Sequence, residues 1–111
     1  MSDCLFCKII TGEIPSKKVF ENDEVFAFED IHPLAKKHVL FVHRKHTPNL
    51  NGLSTIHVGQ IFNGIKDYTA QIGLDKTGFR VVTNTGDDAG QTVHHAHFHV
   101  LGGEKLGKFG K

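Results

Sequence analysis

The stretch Gly90-Gln91-Thr92-Val93-His94-His95-Ala96-His97-Phe98-His99-Val100-Leu101 decides how this chain is read. From about Val93 to Leu101 it has the apolar content of a β-strand, and Gly102-Gly103 ends it. Side chains on a strand alternate between faces, and neighbours on one face stand about 6.5–7 Å apart. The spacing therefore predicts His95, His97 and His99 on one face. Ala96, Phe98 and Val100 take the other and point into a core. By the same alternation His94 turns away from His95, as a polar group at a sheet edge.

Three imidazoles on one face admit three readings. A solvated sheet face would normally mix in Lys, Glu and Thr. A metal site is a second reading, because His-x-His lets two imidazoles reach one ion. Chemistry on a phosphate ester is the third. Neutral imidazole is a nucleophile at pH 7, and flanking imidazoles, once protonated, can donate to the equatorial phosphoryl oxygens. Rings this close should titrate as a coupled set. The loop Asn84-Thr85-Gly86…Gly90-Gln91-Thr92 lies directly upstream and brings glycines, amides and a hydroxyl to the triad. Main-chain N–H groups in such a loop can cradle an anion.

Working outward, Leu5–Thr11 reads as a short helix ending at Gly12, and Ile14-Pro15 marks a break. Lys18–Glu21 and Val25–Glu29 read as a hairpin around Asn22-Asp23. His38–His43 is apolar enough to be a strand buried on both faces. The long helix runs from Thr55 to Ile72, with Ser54 as N-cap, Leu53 and Val58 as a staple, and Gly73 as its stop. Its stripe is Val58, Ile61, Phe62, Ile65 and Ile72. Gly59 and Gly64 inside it are either tolerated or mark close packing against another element or a partner chain. Phe79–Asn84 is a further strand, Thr85–Gln91 a loop, and the tail Glu104–Lys111 lies on the surface. The sum is an α+β fold: a five-stranded antiparallel sheet, one long helix and a short N-terminal helix.

Composition bounds the rest. A chain of 111 residues is one domain's length, so 1–111 is read as a single domain. It buries roughly two-thirds of its unfolded surface, which leaves room for a second subunit to cover apolar area. The net charge is +1, with no basic tract for nucleic acid. No apolar run approaches the ~20 residues of a membrane span. Met1-Ser2-Asp3-Cys4 opens no secretory signal, so the expected location is cytoplasmic. Protonating all nine histidines would take the charge from +1 to +10, so behaviour should change near an imidazole pKa of about 6.5.

His95-Ala96-His97-Phe98-His99-Val100-Leu101 resembles the signature of the histidine-triad nucleotide-binding superfamily. Leu101-Gly102-Gly103 is similar to the ending of its nucleoside phosphoramidase branch, where the diadenosine polyphosphate hydrolase branch usually has Pro-Arg. Phe6-Cys7-Lys8-Ile9-Ile10, Gly12-Glu13-Ile14-Pro15, Phe28-Glu29-Asp30-Ile31 with Pro33, and Gly90-Gln91-Thr92-Val93 match as well, covering nearly the whole chain. The resemblance implies that His97 attacks the α-phosphorus of a purine nucleotide conjugate and carries the nucleotidyl group. His99 would bond the phosphate. His95 would orient His97 through its main-chain carbonyl, and Thr92 would donate to the leaving group. Asn84, Gly90, Gln91 and Val93 would line the phosphate, with Asp30 on the ribose. Phe6, Ile9, Phe28 and Ile31 would form the slot for the base, although Phe28 and Ile31 also read as ordinary core. His38 matches a family histidine near the triad, against a purely structural reading. The resemblance also implies a two-fold dimer through Thr55–Ile72 and Phe79–Asn84. His94 departs from the family's usual Tyr or Phe, and the short tail lacks the Trp-Pro-Pro ending of some relatives.

Cys4 and Cys7 are too close for a disulfide framework and suit a metal or redox pair. They supply half of a tetrahedral zinc site. The resemblance implies that His46 and His95 complete it as a structural site; His43 fits less well. The expected activity is hydrolysis of nucleoside 5′-monophosphoramidates. The alternatives are a dinucleoside polyphosphate hydrolase, and a nucleotide- and zinc-binding module acting through partners.

Overall fold

The side chain of Asn22 turns the first hairpin: its Oδ1 accepts from the N–H groups of Glu24 and Val25, both at 2.9 Å. On either side lie β1 (Lys18–Glu21) and β2 (Val25–Glu29), as the turn residues Asn22-Asp23 predict. The computed structural model describes residues 3–109. The last two residues of the expected surface tail, Gly110 and Lys111, and the first two of the chain lie outside the described residues.

Five antiparallel strands make one sheet in the order β1-β2-β3-β5-β4, where β3 is Lys37–His43, β4 Phe79–Val82 and β5 His97–Gly102. In β3 every residue from His38 to His43 is buried, so it is covered on both faces as its composition predicts. The helix α2 (Thr55–Gln71) packs on one face. Val25, Ala27, Val39, Phe41, Phe98 and Val100 meet Ile61, Ile65 and Tyr68 there. The helix α1 (Leu5–Thr11) covers part of the other face, where Phe6 and Ile9 pack with Phe26, Phe28, Leu40 and Val42. Among the described residues no helix is long and apolar enough to cross a membrane.

The N-cap and the stop of the long helix both hold. Ser54 Oγ accepts from the His57 N–H at 3.0 Å, and Gly73 adopts φ +83°. The helix itself stops at Gln71, with Ile72 as its cap residue, and a short α3 (Leu74–Thr77) follows that the pattern did not predict. The buried stripe also differs. Ile61 and Ile65 are buried with Tyr68 and Thr69, but Phe62 is 43% exposed and Ile72 39%. Gly64 lets the helix sit close on Val25, Phe20 and Phe41, while the half-exposed Phe62 packs edge-on against Phe98 at 5.5 Å between ring centroids. Gly59 has open space around its missing Cβ.

Two strands are shorter than expected. β4 stops at Val82 because Thr83 Oγ1 donates to the His97 carbonyl at 2.8 Å, a side chain taking the place of a ladder bond. β5 starts at His97 because the Ala96 N–H goes to the Thr47 carbonyl at 2.7 Å. The described part of the tail does hold to the body: Arg80 donates to the Gly107 carbonyl at 2.9 Å, and the Lys36 N–H to Glu104 at 2.8 Å.

A Cβ on residue 64 would stand 2.8 Å from Val25 Cγ2. Gly64→Ala is therefore expected to destabilise the fold by about 1–3 kcal/mol through overpacking. Gly59→Ala should instead stabilise it by up to about 1 kcal/mol. Urea denaturation of both variants checks this; equal stabilities would contradict the close approach.

Candidate active site

The start of β5 shapes the site. Alternation along the strand fixes a common face for His97 and His99 only. His95 precedes the strand, and its position comes from its own contacts, which corrects the expectation of three histidines set by one periodicity. His94 lies in the same bend and is exposed.

His97 is 9% exposed, with Phe6 edge-on at 5.0 Å between ring centroids. Its Nδ1 lies 2.8 Å from the His95 carbonyl oxygen. A carbonyl only accepts, so Nδ1 carries the proton and the neutral ring keeps a bare lone pair on Nε2. The neighbouring ring is fixed the same way. His95 Nε2 lies 3.0 Å from the His43 carbonyl, so Nε2 carries the proton and Nδ1 is bare.

That bare Nδ1 faces Cys4 Sγ at 3.2 Å, Cys7 Sγ at 3.6 Å and His46 Nδ1 at 3.1 Å. Cys7 Sγ is 3.5 Å from His46 Nδ1, and the four ligand atoms lie within 4.8 Å of one another. Zn–N bonds of about 2.0–2.1 Å and Zn–S bonds of about 2.3 Å give tetrahedral edges of roughly 3.3–3.8 Å, so the set fits a tetrahedral ion. Burial, and then the adjacent Cys4 thiol, push the Cys7 thiol up, which a cation between them would reverse. Both cysteines are free thiols, and Cys4 also caps α1 by accepting from the Cys7 N–H at 3.3 Å. His43 offers this cluster only its carbonyl; its ring bonds Gln60 at 2.7 Å.

His99 Nδ1 lies 2.9 Å from His38 Nε2, and Asp30 Oδ2 lies 3.5 Å from the same His38 nitrogen. Asp30 Oδ1 accepts from the His32 N–H at 2.8 Å. Burial first, then the neighbouring rings, push His99 from 6.5 down to about 4. Burial likewise takes His95 to about 4 and lowers His38. Burial thus favours the neutral form of these rings at pH 7.

A hollow of about 460 Å³ opens in front of His97 and His99. Phe6, Ile9, Phe28, Asp30, Ile31, Asn84, Gly90, Gln91, Thr92 and Val93 all line it, as the sequence predicts. Phe28 is also core at 4% exposure, whereas Ile31 is 84% exposed at the rim. Two predicted residues stand elsewhere. His38 is 4% exposed and sits behind His99, and His95 lies behind His97. The Gln91 side chain is spent on the loop: Nε2 donates to Pro48 O at 2.7 Å and Val93 O at 3.1 Å, while Oε1 accepts from the Gly86 N–H at 3.0 Å. Sequence reasoning missed Leu5, Pro15 and Leu40 on the walls and the His43 carbonyl on His95; a main-chain acceptor leaves no trace in residue type.

A second, more open hollow of about 860 Å³ lies against the cysteine cluster, with Asp3, His46 and His94 on its walls. Leu5, Thr92 and Val93 belong to both, so Thr92 stands where the two meet.

The HIT domain matches residues 11–106. This chain belongs to the HIT family. A histidine triad protein from Clostridium difficile is 44% identical, with a TM-score of 0.93 over 99% of this chain and 98% of that one. A HIT family hydrolase from Legionella pneumophila is 38% identical, with a TM-score of 0.90 over 95% and 96% of the two chains. The adenosine 5′-monophosphoramidase HNT1 of Candida albicans is 37% identical over 106 residues, which cover 90% of this chain and 70% of that protein.

The pH response of this HIT protein follows from its buried rings. The folded state resists protonating His99 until about pH 4, while the unfolded chain takes up the proton near 6.5. Between those values the unfolded state binds more protons, so stability is full above about 6.5 and falls as pH drops toward 4. Urea midpoints across that window should decline with acidification, and His99→Asn should flatten part of the slope. A level profile would contradict neutral burial.

Proposed function

We propose that this HIT protein hydrolyses purine nucleoside 5′-monophosphoramidates through a nucleotidyl intermediate on His97. The observation that carries the reading is the 2.8 Å bond from His97 Nδ1 to the His95 carbonyl, which leaves Nε2 bare toward the hollow. In the reaction Nε2 forms a bond to the α-phosphorus as the P–N bond to the amine breaks. The amine leaves with a proton drawn from solvent. Water then attacks phosphorus, the P–Nε2 bond breaks, and the proton lost by the water restores the balance. Keeping Nδ1–H on the carbonyl makes the intermediate a phosphoryl-imidazolium, whose neutral ring is a good leaving group.

The remaining roles follow from position. His99 donates to a phosphoryl oxygen, helped by the main chain at Gly90, Gln91 and Val93 and by Asn84. Asp30 takes the ribose hydroxyls, and Phe6, Ile9, Phe28 and Ile31 hold the base. Thr92 donates to the leaving nitrogen, which its place between the two hollows favours. The kinship with an adenosine 5′-monophosphoramidase points the same way.

Two further elements belong to this reading. Cys4, Cys7, His46 and His95 would hold one structural zinc per chain, which keeps the thiolates ionised and pins α1 beside the hollow. The cytoplasm, which keeps thiols reduced, suits that pair. A two-fold homodimer would cover the free edge of β4, where Phe79 and Val81 are each 37% exposed, and the outward Phe62 and Ile56 of α2.

Mass spectrometry of enzyme quenched during turnover of adenosine 5′-phosphoramidate is expected to find the AMP adduct on His97. His97→Ala should abolish turnover and adduct while leaving AMP binding mostly intact, and diadenosine polyphosphates should be poorer substrates. Normal turnover by His97→Ala would reject the mechanism. Native mass spectrometry of protein purified without chelator should give a two-chain mass with one zinc per chain. A metal-free monomer would remove both elements.

A further inference from the structure

His38 does not face the hollow, yet it is 4% exposed and pressed against the ring that does. We propose that His38 is a positioning residue that holds His99 as the Nε2–H tautomer, and that the peptide N–H of Leu34 dictates this arrangement. The argument begins at the backbone. The Leu34 N–H lies 3.0 Å from His38 Nδ1. A peptide N–H can only donate, so Nδ1 must be bare, which excludes both the Nδ1–H tautomer and the cation of His38. Its one ring proton is therefore on Nε2.

That proton points at His99. Nε2 stands 2.9 Å from His99 Nδ1 and 3.5 Å from Asp30 Oδ2, so the imidazole is the nearer acceptor. His99 Nδ1 must then be bare, and its proton sits on Nε2. The reverse order, with His99 Nδ1–H donating to His38, would place the His38 proton on Nδ1, against the Leu34 N–H. The three groups form a one-way relay of donors from Leu34 to His38 to His99.

His99 gains from this what its sequence neighbours do not supply. An uncharged imidazole presents a donor or a lone pair at a given nitrogen, and a lone pair facing a phosphoryl oxygen would repel it. The relay guarantees a donor without a positive charge. His97 is locked the opposite way round by the His95 carbonyl, so two rings two residues apart show the phosphate one nucleophile and one N–H. The meeting of His99 with a phosphate rests on the phosphoramidase reading; the tautomers themselves do not.

Long-range ¹H–¹⁵N spectra of the full chain at pH 7, with no substrate present, test this. In the wild type, His38 and His99 should each show a protonated Nε2 and a bare Nδ1. His38→Gln still offers an N–H and should keep the His99 pattern and kcat within about tenfold. His38→Glu offers only an acceptor and should move the His99 proton to Nδ1. It should also cut kcat on adenosine 5′-phosphoramidate by about 10²–10³, with KM little changed. Should the glutamate variant not fold, His38→Leu, which offers neither, should give mixed His99 tautomers and an intermediate kcat. A wild-type His99 with its proton on Nδ1, or a pattern unmoved in both His38→Glu and His38→Leu, would overturn the proposal. Equal kcat losses for Gln and Glu would overturn it as well. The expected tautomers in an enzyme that turns over no phosphoramidate would leave the relay standing and remove the proposed substrate.

Discussion

The 2.8 Å contact between His97 Nδ1 and the His95 carbonyl joins residues two apart, at the point where the chain has not yet entered its last strand. A free neutral imidazole divides between two tautomers, and only one has a lone pair at a chosen nitrogen. The carbonyl selects that one. It can do so because residue 95 is held from several sides: its ring against the His43 carbonyl and the Cys4, Cys7 and His46 side chains, and the next N–H on Thr47. The same residue is thus a wall of the metal-compatible cluster and the anchor of the His97 ring. Nothing that moves the cluster can leave the site untouched.

Burial is what makes such control possible. His38, His95 and His99 all resist protonation because the sheet and α1 take them out of water. In the neutral state each ring has one donor and one acceptor, so every hydrogen bond fixes the next. Fully charged rings would have donors at both nitrogens and could neither ligate a metal nor attack phosphorus. A fold that keeps these rings neutral is expected to lose stability as they are forced to take up protons.

Much of this was legible because it depends on residue type and period. The Asn22 turn, the Ser54 cap, the doubly buried β3 and the core-facing Phe98 and Val100 follow from local chemistry that the tertiary fold respects. So do the residues lining the hollow, through the family pattern at 90–99 and 28–31. What could not be read depends on main-chain groups and close approach. The early end of β4, the late start of β5 and the fixing of His95 each turn on one carbonyl whose partner is distant in sequence, and the fixing of His38 turns on a peptide N–H four residues away that residue type does not reveal. Phe62 packs one edge on Phe98 and leaves the rest to solvent, a partial cover that period alone cannot show.

The pair Gly102-Gly103 shows why position in the fold must be weighed before a motif is used to choose a substrate. A Cβ at 102 would meet Leu74 at 3.2 Å and the Gly78 carbonyl at 3.3 Å, and Gly103 has φ +84°. Both glycines thus have packing and backbone reasons to be there, at the end of β5 away from the hollow. On the proposed reaction, a leaving group would meet the protein at the other end of the strand. There Thr92 lines both hollows, the wider of them bordered by Asp3, His94 and the cysteine cluster. The smaller hollow has aromatic rings on one wall and the glycine loop on another.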